Sequence, residues 1–146
     1  MNSKSKVCFF FPSASIDLGN RSALKKFIEN LFKSENKEIG LVNYIFCNNR
    51  TIRNINRQYL KHNYATDIIT FDLSDSKLIT ADIYISVDQV RDNAKSLGLS
   101  IKSEILRVVF HGALHLCGYR DKKSSDIQKM RGKEDLYLGK YGVSPV

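Results

Sequence analysis

Glu104–Asp121 reads EILRVVFHGALHLCGYRD and contains two of the three histidines of this chain, His111 and His115. Ile105, Val108, Val109, Leu114 and Leu116 recur at helical spacing, and Phe110 and Ala113 make the segment apolar on nearly every side. A helix that is apolar all round belongs in a core, so both imidazoles are expected inside. Residues i and i+4 lie one above the other on a helix, close enough to share a metal ion. Gly118 follows three residues after His115. A glycine there can take the left-handed conformation that ends a helix and turns the chain back, which brings Asp121 towards the histidines as a third ligand. A lone histidine on such a helix is a core residue bonded to backbone. Two at this spacing, with a glycine turn and a carboxylate after them, point to a metal site made by His111, His115 and Asp121.

Two neighbours refine this reading. Cys117 is only two positions from His115, so it points away from the ligand face and reads as a small core residue. Gly112 stands where helix-borne zinc peptidases carry a general-base glutamate. A peptidase mechanism of that kind is therefore disfavoured.

The chain has 146 residues, 42% of them hydrophobic, enough for one core and too few for two. Residues 1–146 are read as a single domain. The 23 lysines and arginines against 15 acids leave a net charge of +8, which suits a polyanionic partner, nucleic acid first. The three cysteines, Cys8, Cys47 and Cys117, are odd in number and far apart. Neither a disulfide framework nor a Cys-x2-Cys site can be built from them, and a reducing cytoplasm fits. The apolar run Val7–Phe11 is short and cut by Pro12, so it reads as a strand rather than a signal peptide. No segment has the length needed to span a membrane.

Along the chain, Asn20–Lys33 is an amphipathic helix and Glu38–Cys47 a central strand. Asn48 or Asn49 caps a helix through Ile52, Ile55 and Tyr59, with Arg50, Arg53, Asn56 and Arg57 on its exposed side. A polar loop, Lys61–Thr66, leads to a strand over Asp67–Leu73, and another strand follows over Leu78–Val87. Asp88 is expected to cap a helix ending at Gly98, ahead of the histidine helix. Ser125 with Gln128 then reads as a capping box for a last helix to about Leu138, with a frayed tail. About four strands and five helices, partly alternating, predict one small mixed sheet covered by helices.

Several of these segments together resemble the YbeY family of bacterial metal-dependent endoribonucleases that process ribosomal RNA. The resemblance covers most of the chain. Asn56 and Tyr59 match an Asn-x2-Tyr helix ending; Thr66, Asp67, Thr70 and Phe71 match a Thr-Asp/Asn-hydrophobic-Ser/Thr-Phe strand; Ala81, Asp82 and Ile83 match a strand start. The most specific part is His-Gly-x-Leu-His-Leu-x-Gly-Tyr, reproduced in full by His111 to Tyr119. The resemblance implies an α+β fold with the metal site on the buried helix and the turn after it, one divalent metal, Zn²⁺, in a cleft, and a role in rRNA maturation and ribosome quality control in the cytoplasm. The family's usual third ligand is a histidine where this chain has Asp121. An arginine commonly follows the tyrosine of Asn-x2-Tyr, where this chain has Leu60.

An aspartate oxygen is an accepted zinc ligand at nearly the distance of a histidine nitrogen, but it lowers the site's charge and admits harder ions such as Mn²⁺. Lys61 could offer a point charge to phosphate in place of the missing arginine, without its planar fork. His62, in the same loop, is a candidate for proton transfer. Single-stranded RNA, as an rRNA precursor on the ribosome or its small subunit, would be gripped by Arg50, Arg53, Arg57, Lys61 and the lysines after Asp121, with Tyr64 or Tyr119 stacking on bases. The rival reading is a non-catalytic RNA-binding assembly factor with a structural metal. Such a site would be closed by four protein ligands, and three are visible.

Overall fold

The computed structural model describes residues 5–61 and 66–143. In chain order the elements are β1 (Val7–Phe10), α1 (Arg21–Ser34), β2 (Glu38–Cys47), α2 (Asn49–Leu60), β3 (Ile68–Asp72), β4 (Leu78–Ser86), α3 (Val87–Leu97), α4 (Ile101–Leu116) and α5 (Ser124–Tyr141). The sheet order is β1-β2-β4-β3. β1, β2 and β4 run parallel, and β3 lies antiparallel against β4 at the edge. The expected fold, a small mixed sheet with five helices, is the one observed.

Side chains alternate across a strand, and that alternation decides the layers. Val42, Tyr44 and Phe46 of β2 and Ala81, Ile83 and Ile85 of β4 are buried in one core together with Leu24 and Ile28 of α1, Phe110 and Leu114 of α4, and Leu138 of α5. Cys47, Ile69, Phe71 and Tyr84 instead meet Ile52 and Ile55 of α2 in a smaller cluster. The Tyr44 hydroxyl, buried in the main core, donates to the Val109 carbonyl at 2.9 Å and ties β2 to α4.

Local capping differs from expectation at two helices. Ser86, not Asp88, caps α3: its Oγ accepts from Gln89 N at 3.2 Å, while Asp88 Oδ2 accepts from Asn49 N at 2.8 Å. The α5 helix starts two residues early, after Lys123 and with no side-chain cap bond, so the Ser125–Gln128 box is not used. It also runs on to Tyr141 rather than fraying after Leu138, because Tyr141 packs against the main core. Asn56 is buried rather than exposed; it lies one turn after Ile52, on the face of α2 turned towards the sheet. Among the described residues no helix is long and apolar enough to cross a membrane.

Candidate metal centre

The α4 helix is capped by Ser100, whose side chain accepts from Ser103 N at 3.0 Å. Its apolar faces meet the sheet and α1. A Cβ on Gly112 would lie 3.0 Å from Ile68 Cδ1 and 3.2 Å from Ile83 Cδ1, closer than ordinary van der Waals contact. Gly112 thus lets helix and sheet approach closely, and a glutamate side chain there would be directed into the core.

The remaining stripe of α4 is polar: Glu104, Arg107 and His111 follow one another at helical spacing. Arg107 and His111, at i and i+4, face α5 and share one carboxylate. Glu134 Oε1 accepts from Arg107 Nη1 at 2.9 Å, and Glu134 Oε2 lies 2.7 Å from His111 Nδ1. Arg107 Nη2 donates to Asp135 Oδ1 at 2.8 Å. Because a carboxylate only accepts, Nδ1 carries a proton towards Glu134, and Nε2 is the nitrogen turned away from α5.

The chain then turns as expected. α4 ends at Leu116, Gly118 has φ +105°, and Tyr119 N donates to the Leu114 carbonyl at 3.1 Å. This turn sets Asp121 Oδ2 3.2 Å from His111 Nε2. His111 is therefore held between Glu134 and Asp121. His115 is not inside, as its apolar surroundings in sequence predicted: it is exposed where the last turn of α4 emerges from the core. Among the described residues no three His, Cys, Asp or Glu side chains converge on one point.

The donor set nonetheless suits a divalent ion. A carboxylate fixing one ring nitrogen while the other faces a ligand position is the usual support of a metal-binding histidine. Asp121 supplies an anionic oxygen at that position, and His115 lies one turn along on the same side of the helix and is exposed.

Burial would lower the His111 pKa, but the hydrogen bond and charge of Glu134, and then the charges of Asp121 and Asp67, outweigh it and raise it above its ordinary 6.5. Protonation of His111 thus stabilises the metal-free fold, fully below 6.5 and progressively less as pH rises through the raised value. The groups facing the ring are Glu134 from α5, Asp121 from the turn and Asp67 just before β3. Melting of metal-free protein is expected to fall in temperature across that window. Metal affinity should rise across the same window, because the ion displaces the Nε2 proton. Parallel thermal scans with and without chelator read both trends.

A cavity of about 450 Å³ opens beside His111, Asp121 and Glu134 and is lined also by Asp67, Glu104 and Arg131. Its cationic lining residues are Arg107 and Arg131, whereas Arg53, Arg57 and Lys61 are exposed elsewhere, on or just after α2. Arg57 Nη2 donates to Asn54 Oδ1 at 2.8 Å. Lys61 ends α2 in the left-handed conformation. His62 and Tyr64 lie outside the described residues. Tyr119, expected as a stacking platform, is already engaged: its hydroxyl donates to Glu35 Oε1 at 2.8 Å, Tyr137 bonds the same carboxylate, and the Lys133 ammonium sits over its ring.

Glu134, Arg107, Asp67 and Glu104 are site residues that sequence reasoning missed. A signal was present. Glu134 interrupts the apolar stripe of Met130, Tyr137 and Leu138 on α5, and Glu104, Arg107 and His111 interrupt the apolar surface of α4 at helical spacing. A charge on an otherwise buried face requires a partner, and each stripe supplies the other's.

Residues 13–142 match the family model described as Endoribonuclease YbeY. The endoribonuclease YbeY of Flavobacterium johnsoniae is 42% identical over 126 residues, covering 86% of this chain and 91% of its own length. That of Cytophaga hutchinsonii is 42% identical over 137 residues, covering 92% and 96%. A protein of Thermotoga maritima solved in solution has the same fold, with a TM-score of 0.61 and 26% identity over 91% of each chain.

Proposed function

Because this chain belongs to the endoribonuclease YbeY family, we propose that it is a metal-dependent endoribonuclease that cleaves single-stranded RNA in the maturation of ribosomal RNA. The observation that carries the reading is His111, fixed through Nδ1 by Glu134 and facing Asp121 through Nε2 at the edge of an open cavity. His111, His115 and Asp121 would hold one divalent ion, Zn²⁺ by donor type, with Mn²⁺ favoured more than a third histidine would allow. When bound, the ion supplies Lewis acidity towards the scissile phosphodiester.

The protein's own residues do the rest. Glu134 keeps the Nδ1 proton in place and the ring oriented. Arg131, 58% exposed at its side chain and only 3.7 Å from Glu134, offers a guanidinium to a phosphate entering the cavity. Arg107 is held by Glu134 and Asp135 and serves as scaffold. Lys61 and His62 keep their suggested roles in phosphate contact and proton transfer on sequence position alone, as do Arg53 and Arg57 in gripping RNA. The ribosome or its small subunit as partner, ribosome quality control and a cytoplasmic location belong to the same proposal.

A structural zinc site is closed by four protein ligands, whereas the proposed donors number three and two of them, His111 and Asp121, line an open cavity, which favours catalysis over a staple. The test is cleavage of a single-stranded RNA with and without chelator, with circular dichroism followed in parallel. Cleavage is expected to stop while the fold persists, and RNA affinity to fall steeply with added salt. Cleavage that survives the chelator would exclude the metal mechanism. Unfolding on metal removal would favour the structural role.

A further inference from the structure

The cavity beside His111 and Asp121 has, in the rest of its lining, a composition that neither an ion nor a phosphate requires. At its rim stand Leu97, 61% exposed, and Ile127, 47% exposed, two of the large apolar side chains this protein leaves in water. Val108 and Met130, both buried, continue this lining inward. Deeper, Glu104 is only 5% exposed, and its Oε1 has no hydrogen-bond partner. A buried polar oxygen without a partner is costly, so its retention needs a reason.

The neighbouring polar groups are already satisfied. Asn93 Nδ2 donates to Asp67 Oδ2 at 3.4 Å, and Asn93 Oδ1 accepts from Gln89 Nε2 at 3.0 Å. Arg107 spends its guanidinium on Glu134 and Asp135. Oε1 of Glu104 is thus an unpaired acceptor, shielded in this structure, on a side chain that lines a pocket with apolar residues at its exposed edge.

We infer that this part of the cavity is a nucleobase subsite, in which Leu97 and Ile127 flank the ring and Glu104 Oε1 accepts from the exocyclic amino group of cytosine or adenine. Carboxylates read such amino groups, and flat bases lodge between apolar side chains. The cavity volume lies within the range of small-molecule sites. A second cation is disfavoured because Arg107 and Arg131 line the same space. A phosphate is disfavoured by the acidic floor of Asp67 and Glu104. Burial, followed by the charge of Asp67, raises the Glu104 pKa against the opposing pull of Arg107 and Arg131, so the comparison is best made on the alkaline side of neutrality. The subsite rests on the endoribonuclease reading for its biological use, but its binding chemistry can be measured without cleavage.

The full chain is titrated with cytidine, adenosine and uridine 5′-monophosphates at about pH 8, where an ordinary carboxyl is ionised, and followed by NMR. The amino-bearing nucleotides are expected to bind about three- to ten-fold more tightly than the uridine nucleotide, the worth of one hydrogen bond. Glu104→Met, which keeps the shape and removes the unpartnered oxygen, is expected to erase that preference without lowering Tm. Leu97→Ser, at an exposed position, should weaken all three nucleotides alike. Undetectable binding, equal affinities in the wild type, or a preference that survives Glu104→Met would overturn the inference. So would a loss of one bound Mn²⁺ per chain in Glu104→Met, which would make the site a cation site. Base preference without RNA cleavage would leave the subsite standing and remove the proposed function; cleavage without base preference would do the reverse.

Discussion

His111→Ala is expected to lose its metal and, with it, RNA cleavage down to background, a drop of about a hundred-fold or more. Among the described residues no other ring nitrogen near Asp121 has a carboxylate fixing its tautomer. Glu134 presets the tautomer of His111 alone, through the 2.7 Å contact at Nδ1, and the turn at Gly118 delivers Asp121 to Nε2 of the same ring. The substitution also strips one oxygen of the buried Glu134 of its partner, at a cost of about 1–3 kcal/mol to the fold. Metal content by mass spectrometry, cleavage rate and Tm separate these effects. Retention of both metal and cleavage would show that the site is elsewhere. Asp121→Ala, at an exposed position, removes the anionic donor with little effect on stability and should cost metal and cleavage together. Asp121→His, which restores the family's usual ligand, should keep zinc and reduce the share of Mn²⁺ taken up.

Glu134 supplies the second large effect. Its carboxylate is 4% exposed and serves two cations, Arg107 at 2.9 Å and His111 at 2.7 Å. Glu134→Ala leaves the Arg107 guanidinium, 11% exposed at its side chain, without its buried partner. Breaking a buried pair from one side costs about 3–5 kcal/mol, and because Asp135 still holds the other end of the guanidinium the low end applies, a fall in Tm of roughly 6–12 °C. Glu134→Gln keeps the shape and one acceptor and is the better probe of the metal. Loss of the carboxylate behind a ligating histidine lowers metal affinity by about 10–100-fold, and the pH at which metal displaces the His111 proton should move down, since the neutral amide no longer raises that pKa. Chelator competition across pH measures both quantities. A Glu134→Gln protein with wild-type metal affinity and an unmoved pH profile would reduce Glu134 to a structural role.

Much of this architecture is legible in residue order because its causes are local. The apolar run of α4, the alternation in β2 and β4, the caps at Asn48 and Gly98 and the turn at Gly118 each depend on neighbours a few residues apart, and periodicity reports them. The errors fall where a distant group decides. Ser86 takes the cap of α3 while Asp88 reaches back to the backbone of Asn49. α5 outlasts its expected end because Tyr141 finds the core. The Tyr119 hydroxyl is tied to Glu35, 84 positions away along the chain.

The stretch from Glu104 to Asp121 divides the same way. By itself the sequence determined that a buried helix carries two histidines one turn apart, that a glycine ends it, and that the turn brings Asp121 back towards the end of the helix. Only the tertiary structure decided that His111 is the histidine braced by a carboxylate and His115 the exposed one, and that Ile68 and Ile83 lie against Gly112. It also decided that Glu104 faces a cavity with one oxygen unpaired. The reason is that Glu134 meets His111 across 23 residues and from another helix, and a contact between two helices leaves in either one no more than a charge out of place on an apolar face.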